Sequence, residues 1–190
     1  MPSSYIAVII ITDEIFYEKR SKKLIALHIL DVKQFMSKLL LNDTFDHFLL
    51  SEAVITTYNT FHIDGRLQKD YYNPDELEER GLSNTNYSSW MQLRPYCFEL
   101  IKGKRTPLNF KFVFQLSPAN LEKLLVQTKL PMSSSDINGL FLNLKYDGHN
   151  LSCITGSSIR IFTMDKTLEQ SWDTMVQKFL RQKEIAFELL

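Results

Sequence analysis

The sequence predicts an α+β protein, a mostly antiparallel sheet with about three helices packed against it. Three observations carry that prediction. Aromatic and β-branched residues crowd into short runs such as "LNFKFVFQL" and "GLFLNLKY". Aspartate-glycine pairs end two of the apolar stretches, Asp64-Gly65 and Asp147-Gly148; glycine accepts the positive φ of a tight hairpin turn. Three segments repeat their apolar residues at helical spacing, and two of these follow a capping residue.

In chain order, residues 1–23 stand apart. "AVIIITDEIF" has the composition of a strand and "YEKRSKK" is a solvated charged run. The segment is expected to be an N-terminal extension, either an edge strand or upstream translation, ahead of a single α+β domain over 24–190. "LIALHI" is the first strand of that domain. Asp31 follows as an N-cap with Gln34 three positions on, and Val32, Phe35, Met36, Leu39 and Leu40 recur on one helical face. "FLLSEAVITTYNTFHIDGRLQKDYY" is strand-forming, with a hairpin turn expected at Asp64-Gly65.

Residues 73–89 are an acidic polar connection with a helical turn expected at Asp75–Glu79. "WMQLRPYCFELI" is expected to lead as a strand into Lys102-Gly103-Lys104-Arg105, and "LNFKFVFQL" is the strand beyond. Ser117-Pro118 opens a helix, because serine caps and proline suits the first helical position. A serine run at 133–135 precedes "GLFLNLKY", which turns at Asp147-Gly148 into "LSCITG", and "SIRIFTM" is expected to be a further strand. An amphipathic helix over Thr167–Gln182 buries Leu168, Trp172, Met175, Val176 and Phe179. The capped helices at Asp31 and Ser117, each followed by a strand and an Asp-Gly turn, suggest two β-α-β-hairpin pseudo-repeats. Units of this kind also recur in α+β proteins without duplication.

The totals narrow the function. A chain of 190 residues buries about 70% of its unfolded surface and needs no disulfide or metal to fold. Twenty-two basic residues balance 22 acidic ones, so no global field draws the chain to nucleic acid or an anionic membrane, although a local basic patch can. The apolar run "IAVIII" is far short of the about 20 residues of a membrane-spanning helix. Cys97 and Cys153 form no CxxC pair. With no signal-peptide pattern, they are expected to be reduced thiols in a cytoplasmic protein.

One loop is electrostatically distinct. Arg94, Lys102, Lys104, Arg105 and Lys111 face a single nearby carboxylate, Glu99, and Gly103 lets a ligand approach the backbone. These residues are the candidate anion or nucleic-acid site, with Tyr96 and Trp90 as nearby stacking surfaces. The order is not that of a nucleotide-binding P-loop. The plain alternative is a hairpin turn whose cations keep it soluble.

No catalytic set or metal site emerges. His28, His47, His62 and His149 show no metal-ligand spacing. His47 beside Asp43 and Asp46 is the best acid-base pair, against a plain role at a helix C-terminus. Both cysteines sit in apolar patterns as core residues. Asp64, Asp136 and Asp147 have local roles in turns and caps that outweigh a scattered magnesium set.

"DVKQFMSKLLLNDTFDHFLLSEAVITT", "IKGKRTPLNFKFVFQLSP" and "LEQSWDTMVQKFL" together resemble a family of bacterial proteins, mainly from anaerobic Gram-positive organisms, known as a domain of unknown function. The resemblance spans about Leu24 to Leu190 and leaves out the first 23 residues. It implies no activity, cofactor or catalytic residue.

The expected function is a non-enzymatic binding or scaffolding module, with no cofactor and an unidentified partner, a protein among the candidates. The first alternative is nucleic-acid association through the 102–105 loop. There the two β-α-hairpin units would be loosely similar to the sliding-clamp layout, by analogy of fold alone. The second is an enzyme whose site assembles around His47.

Overall fold

The computed structural model describes residues 25–190. The expected edge strand within residues 1–23 lies outside the described residues. Seven strands form one sheet: β1 (Ala26–Ile29), β2 (Phe48–Thr56), β3 (Thr60–Asp64), β4 (Asn109–Leu116), β5 (Ile137–Tyr146), β6 (Leu151–Ile159) and β7 (Phe187–Leu189). Their order is β3-β2-β4-β5-β6-β1-β7, and every pairing is antiparallel. Among the described residues there are five α-helices: α1 (Val32–Leu40), α2 (Pro74–Glu79), α3 (Trp90–Ile101), α4 (Pro118–Thr128) and α5 (Thr167–Gln182). The protein is α+β, as the sequence predicts, with two helices more than expected.

The sheet has one apolar face, set by the two-residue period of a strand. Leu27 and Ile29, Ala53 and Ile55, Phe110, Phe112 and Phe114, Leu142 and Leu144, Leu151 and Cys153 are all buried in one core. Helices supply the other half through Phe35, Leu39, Trp90, Cys97, Leu121, Leu125, Trp172 and Val176. Phe45, in the turn after α1, packs its ring against Phe35, Phe114 and Phe179 at 5.4–5.9 Å between centroids. The opposite face carries exposed or half-buried residues. One row crosses the whole sheet in register: His62, Val54, Lys111, Lys145, Ser152, His28 and Glu188.

The helix starts follow from their caps. The Asp31 carboxylate accepts the Gln34 N–H at 2.8 Å, satisfying one of the four orphan donors of the first turn. Ser117 holds the N-cap position of α4 with Pro118 behind it, but its hydroxyl makes no capping bond; its carbonyl takes the Asn120 and Leu121 N–H groups. α5 has the expected bounds.

Three expectations are corrected. "WMQLRPYCFELI" is helix α3, not a strand. Ser89 is its N-cap, and the Gln92 side chain accepts the Ser89 N–H at 3.1 Å. Pro95 sits inside the helix, where a proline lacks the N–H for the i−4 carbonyl. Burial of Trp90 and Cys97 offsets that loss. The β2–β3 hairpin turns at Thr57–Asn59, where the Thr57 N–H meets the Asn59 carbonyl at 2.9 Å, and not at Asp64-Gly65. Gly65 has another role: a Cβ there would sit 1.8 Å from the Leu50 carbonyl oxygen, so only glycine lets the chain lie flush against β2. The third concerns "SIRIFTM". β6 runs unbroken through Gly156 to Ile159, and residues 160–166 leave the sheet with Phe162 and Met164 exposed.

Asp147-Gly148 does turn β5 into β6, and Asp147 Oδ1 accepts the His149 and Asn150 N–H groups at 2.9 and 2.7 Å. The two β-α-hairpin units do not pair alike. β4 pairs with β5 of its own unit, whereas β1 pairs with β6 and β7 and never with β2.

Candidate functional site

The basic loop joins the end of α3 to β4. It is a helix-to-strand connection, and its position explains its chemistry. The four last carbonyls of a helix lack internal partners, and the aligned peptide dipoles leave about half a negative charge there. Lys102 is the C-cap residue; its N–H bonds to the Phe98 carbonyl at 2.8 Å. Its Nζ lies 2.6 Å from a Glu99 carboxylate oxygen and over the Phe98 ring. Lys102 therefore caps its own helix end through its N–H and places its charge beside Glu99. Lys104 and Arg105 are exposed and have no ion pair or hydrogen bond among the described residues. The buried Pro107 anchors the far side of the loop.

The loop forms one wall of an open groove of about 620 Å³. The tip of the β2–β3 hairpin, Thr57 and Tyr58, forms another wall, and Leu108 also lines the groove. Three cations and one carboxylate, Glu99, line it. The Leu108 N–H bonds to the Thr56 carbonyl at 2.8 Å, which fixes the two walls relative to each other. Tyr58 is 85% exposed. Its ring stands edge-on to Phe61, 5.7 Å away at 79°. The Thr57 hydroxyl is buried and has no hydrogen-bond partner among the described residues.

The predicted residues thus fall into three places. Lys102, Gly103, Lys104 and Arg105 line the groove. Arg94 does not: its guanidinium donates to the Asn42 carbonyl and lies 3.0 Å from Asp46 Oδ1, tying α3 to the turn after α1. That oxygen has the positive charge beside it but no aligned donor. Lys111 stands on the open sheet face, 2.7 Å from Glu52 Oε2 and directly opposite Lys145. Of the aromatics named from the sequence, Trp90 is wholly buried and donates to the Leu39 carbonyl at 2.9 Å, whereas Tyr96 is exposed on α3. Tyr58 and Thr57 were not foreseen. Their signal was the "TTYNT" turn, masked by the stronger Asp64-Gly65 pair downstream.

The remaining candidates have structural positions. His47 is exposed in the turn before β2 and not at a helix end. No bond joins it to Asp43 or Asp46 among the described residues. Asp46 instead faces Arg94. Asp64 accepts the Arg66 N–H, and Asp136 accepts the Ser133 N–H and hydroxyl. These bonds favour the ionised form, so the Asp136 and Asp147 carboxyls titrate below the usual range. Among the described residues no group of three or more His, Cys, Asp or Glu is placed to hold a metal ion. Cys97 and Cys153 are buried and unpaired. Burial pushes the Cys97 thiol up to about 12 and Cys153 higher still, the reverse of what a nucleophile needs. No described helix is long and apolar enough to cross a membrane.

Fold and site together define an α+β protein with a one-sided core and a small basic groove at one end of its sheet. The chain belongs to DUF5721, a family of unknown function, whose family model matches residues 38–188. No curated protein and no solved structure matches it.

Proposed function

We propose that the protein is a non-enzymatic binding module whose 102–105 loop takes the phosphate groups of a ligand. The observation that carries this is the pair Lys104 and Arg105, two exposed cations without counter-ions among the described residues, facing a groove already shaped by the hairpin tip. Lysine and arginine pair with phosphate through charge-assisted hydrogen bonds. Lys102 is paired with Glu99, so Lys104 and Arg105 outweigh the partial negative charge of the helix end and set the sign of the groove. A cytoplasmic location belongs to the same reading, since two unpaired thiols suit a reducing compartment; finding most of the native protein in an extracytoplasmic fraction would refute it.

Thermal unfolding with added inorganic polyphosphate tests the binding. A ligand that binds only the folded state raises Tm. The wild type should gain stability, less so at higher salt. Lys102→Ala/Lys104→Ala/Arg105→Ala should show little gain at the same concentration. An equal rise in both proteins would place the anion elsewhere and overturn the reading.

A further inference from the structure

Resting on that phosphate reading, we infer that the ligand of the groove is a single-stranded nucleic acid, with Tyr58 as the stacking platform for a base and Lys104 and Arg105 on the adjoining phosphates. Two features ask for more than an inorganic anion. The first is the aromatic ring. Tyr58 is exposed at the tip of a hairpin, while its edge-on contact with Phe61 limits its orientation. A ring held in place yet left in water is a ready partner for an unstacked base. The second is size. A groove of about 620 Å³ has the capacity of a nucleotide-sized ligand, far above a lone phosphate.

The same features disfavour a duplex. A paired helix keeps its base faces stacked inside and offers mainly its backbone and groove edges, so Tyr58 would gain no partner. A single strand offers a π-face and a phosphate at each step, which matches one aromatic beside two cations. Sequence preference is expected to be slight, because stacking accepts every base.

The test uses two end-labelled strands of equal length, an oligothymidylate and a strand with the same backbone but no bases. Each is titrated by fluorescence anisotropy at low and moderate salt. The wild type should bind the oligothymidylate more tightly than the abasic strand. Tyr58→Ala should weaken the oligothymidylate by about 5- to 150-fold and leave the abasic strand nearly unchanged. Tyr58→Phe should restore binding, which a merely lost side chain would not explain. Lys104→Ala/Arg105→Ala should weaken both strands and reduce the salt slope by about 1.4. Suppose instead that both strands bind alike, Tyr58→Ala changes nothing, and the double cation variant loses both. The stacking inference is then wrong and the phosphate reading stands. If the wild type binds neither strand nor inorganic polyphosphate, both fall.

Discussion

Replacing Trp90 measures how firmly α3 is held against α1 and the sheet. The side chain is wholly buried. Its ring meets Phe112 and Phe114 edge-on at 5.3 and 5.0 Å, and its Nε1 donates to the Leu39 carbonyl at 2.9 Å. An aromatic of this kind buries about 150–250 Å². At about 25 cal/mol per Å² that is about 4–6 kcal/mol of transfer free energy. Trp90→Ala keeps a methyl and allows partial collapse, so the expected loss is about 3–5 kcal/mol. A domain's whole stability is about 5–15 kcal/mol, so this variant should be close to unfolding. Trp90→Phe is the finer probe. It keeps an aromatic ring beside Phe112 and Phe114 but removes the donor and part of the indole's volume. Leu39 lies in the last turn of α1, where carbonyls have no partner within the helix. Leaving that carbonyl buried and unmet costs about 1–3 kcal/mol. Urea unfolding followed by far-ultraviolet circular dichroism reads both losses. The m-value should stay constant, since similar surface is exposed. A Trp90→Phe loss below about 0.5 kcal/mol would show that the hydrogen bond does not help to hold α1 to α3. A Trp90→Ala loss below about 2 kcal/mol would refute the packing argument itself.

Other perturbations probe separate features. Gly65→Ala forces a methyl toward the Leu50 carbonyl and should destabilise by about 1–3 kcal/mol or more; an unchanged Tm would mean that the close approach is not needed. Arg94→Met removes the half-buried partner of Asp46 and the donor to Asn42, for a loss of about 1–3 kcal/mol in chemical unfolding; a neutral result would make the pair a surface ornament. The thiols give a pH signature. Folding raises the Cys97 pKa from 9.0 to about 12, so its contribution to stability is complete below about pH 9 and is lost as the pH climbs from there toward 12. Tm should therefore fall on the alkaline side, and less so in Cys97→Ala relative to its own maximum. An identical alkaline decline in Cys97→Ala would show that this thiol is not the cause.

How far the sequence could be read depended on whether one period ruled a segment. β4, β5 and α5 were legible because alternation in "NFKFVFQL" and helical spacing from Leu168 to Phe179 each had no rival. α3 was hidden because apolar residues fill "WMQLRPYCFELI" on several sides and Pro95 argues against a helix. The Ser89-to-Gln92 spacing was the signal that went unused. At Asp64-Gly65 a true demand for glycine was assigned to the wrong cause, a turn and not a close approach. The site suffered from the same errors. The cations of the loop were visible, but counting charges along the chain swept in Arg94, which helix α3 turns toward Asp46, and Lys111, which strand alternation sets beside Glu52. Tyr58 could be found only once the hairpin tip had been placed.

The position of β1 has a consequence for how the chain matures on the ribosome. Its strand neighbours are β6 and β7, the last two of the seven described strands in chain order. While β2, β3, β4 and β5 can pair as they emerge, β1 must wait for β6 and β7, its partners among the described strands. The described sheet becomes complete only when β7 has left the exit tunnel. A nascent chain arrested before β6 should therefore present Leu27 and Ile29 without their native strand partners, and a protease pulse on such arrested chains should cut near them far faster than in the released protein.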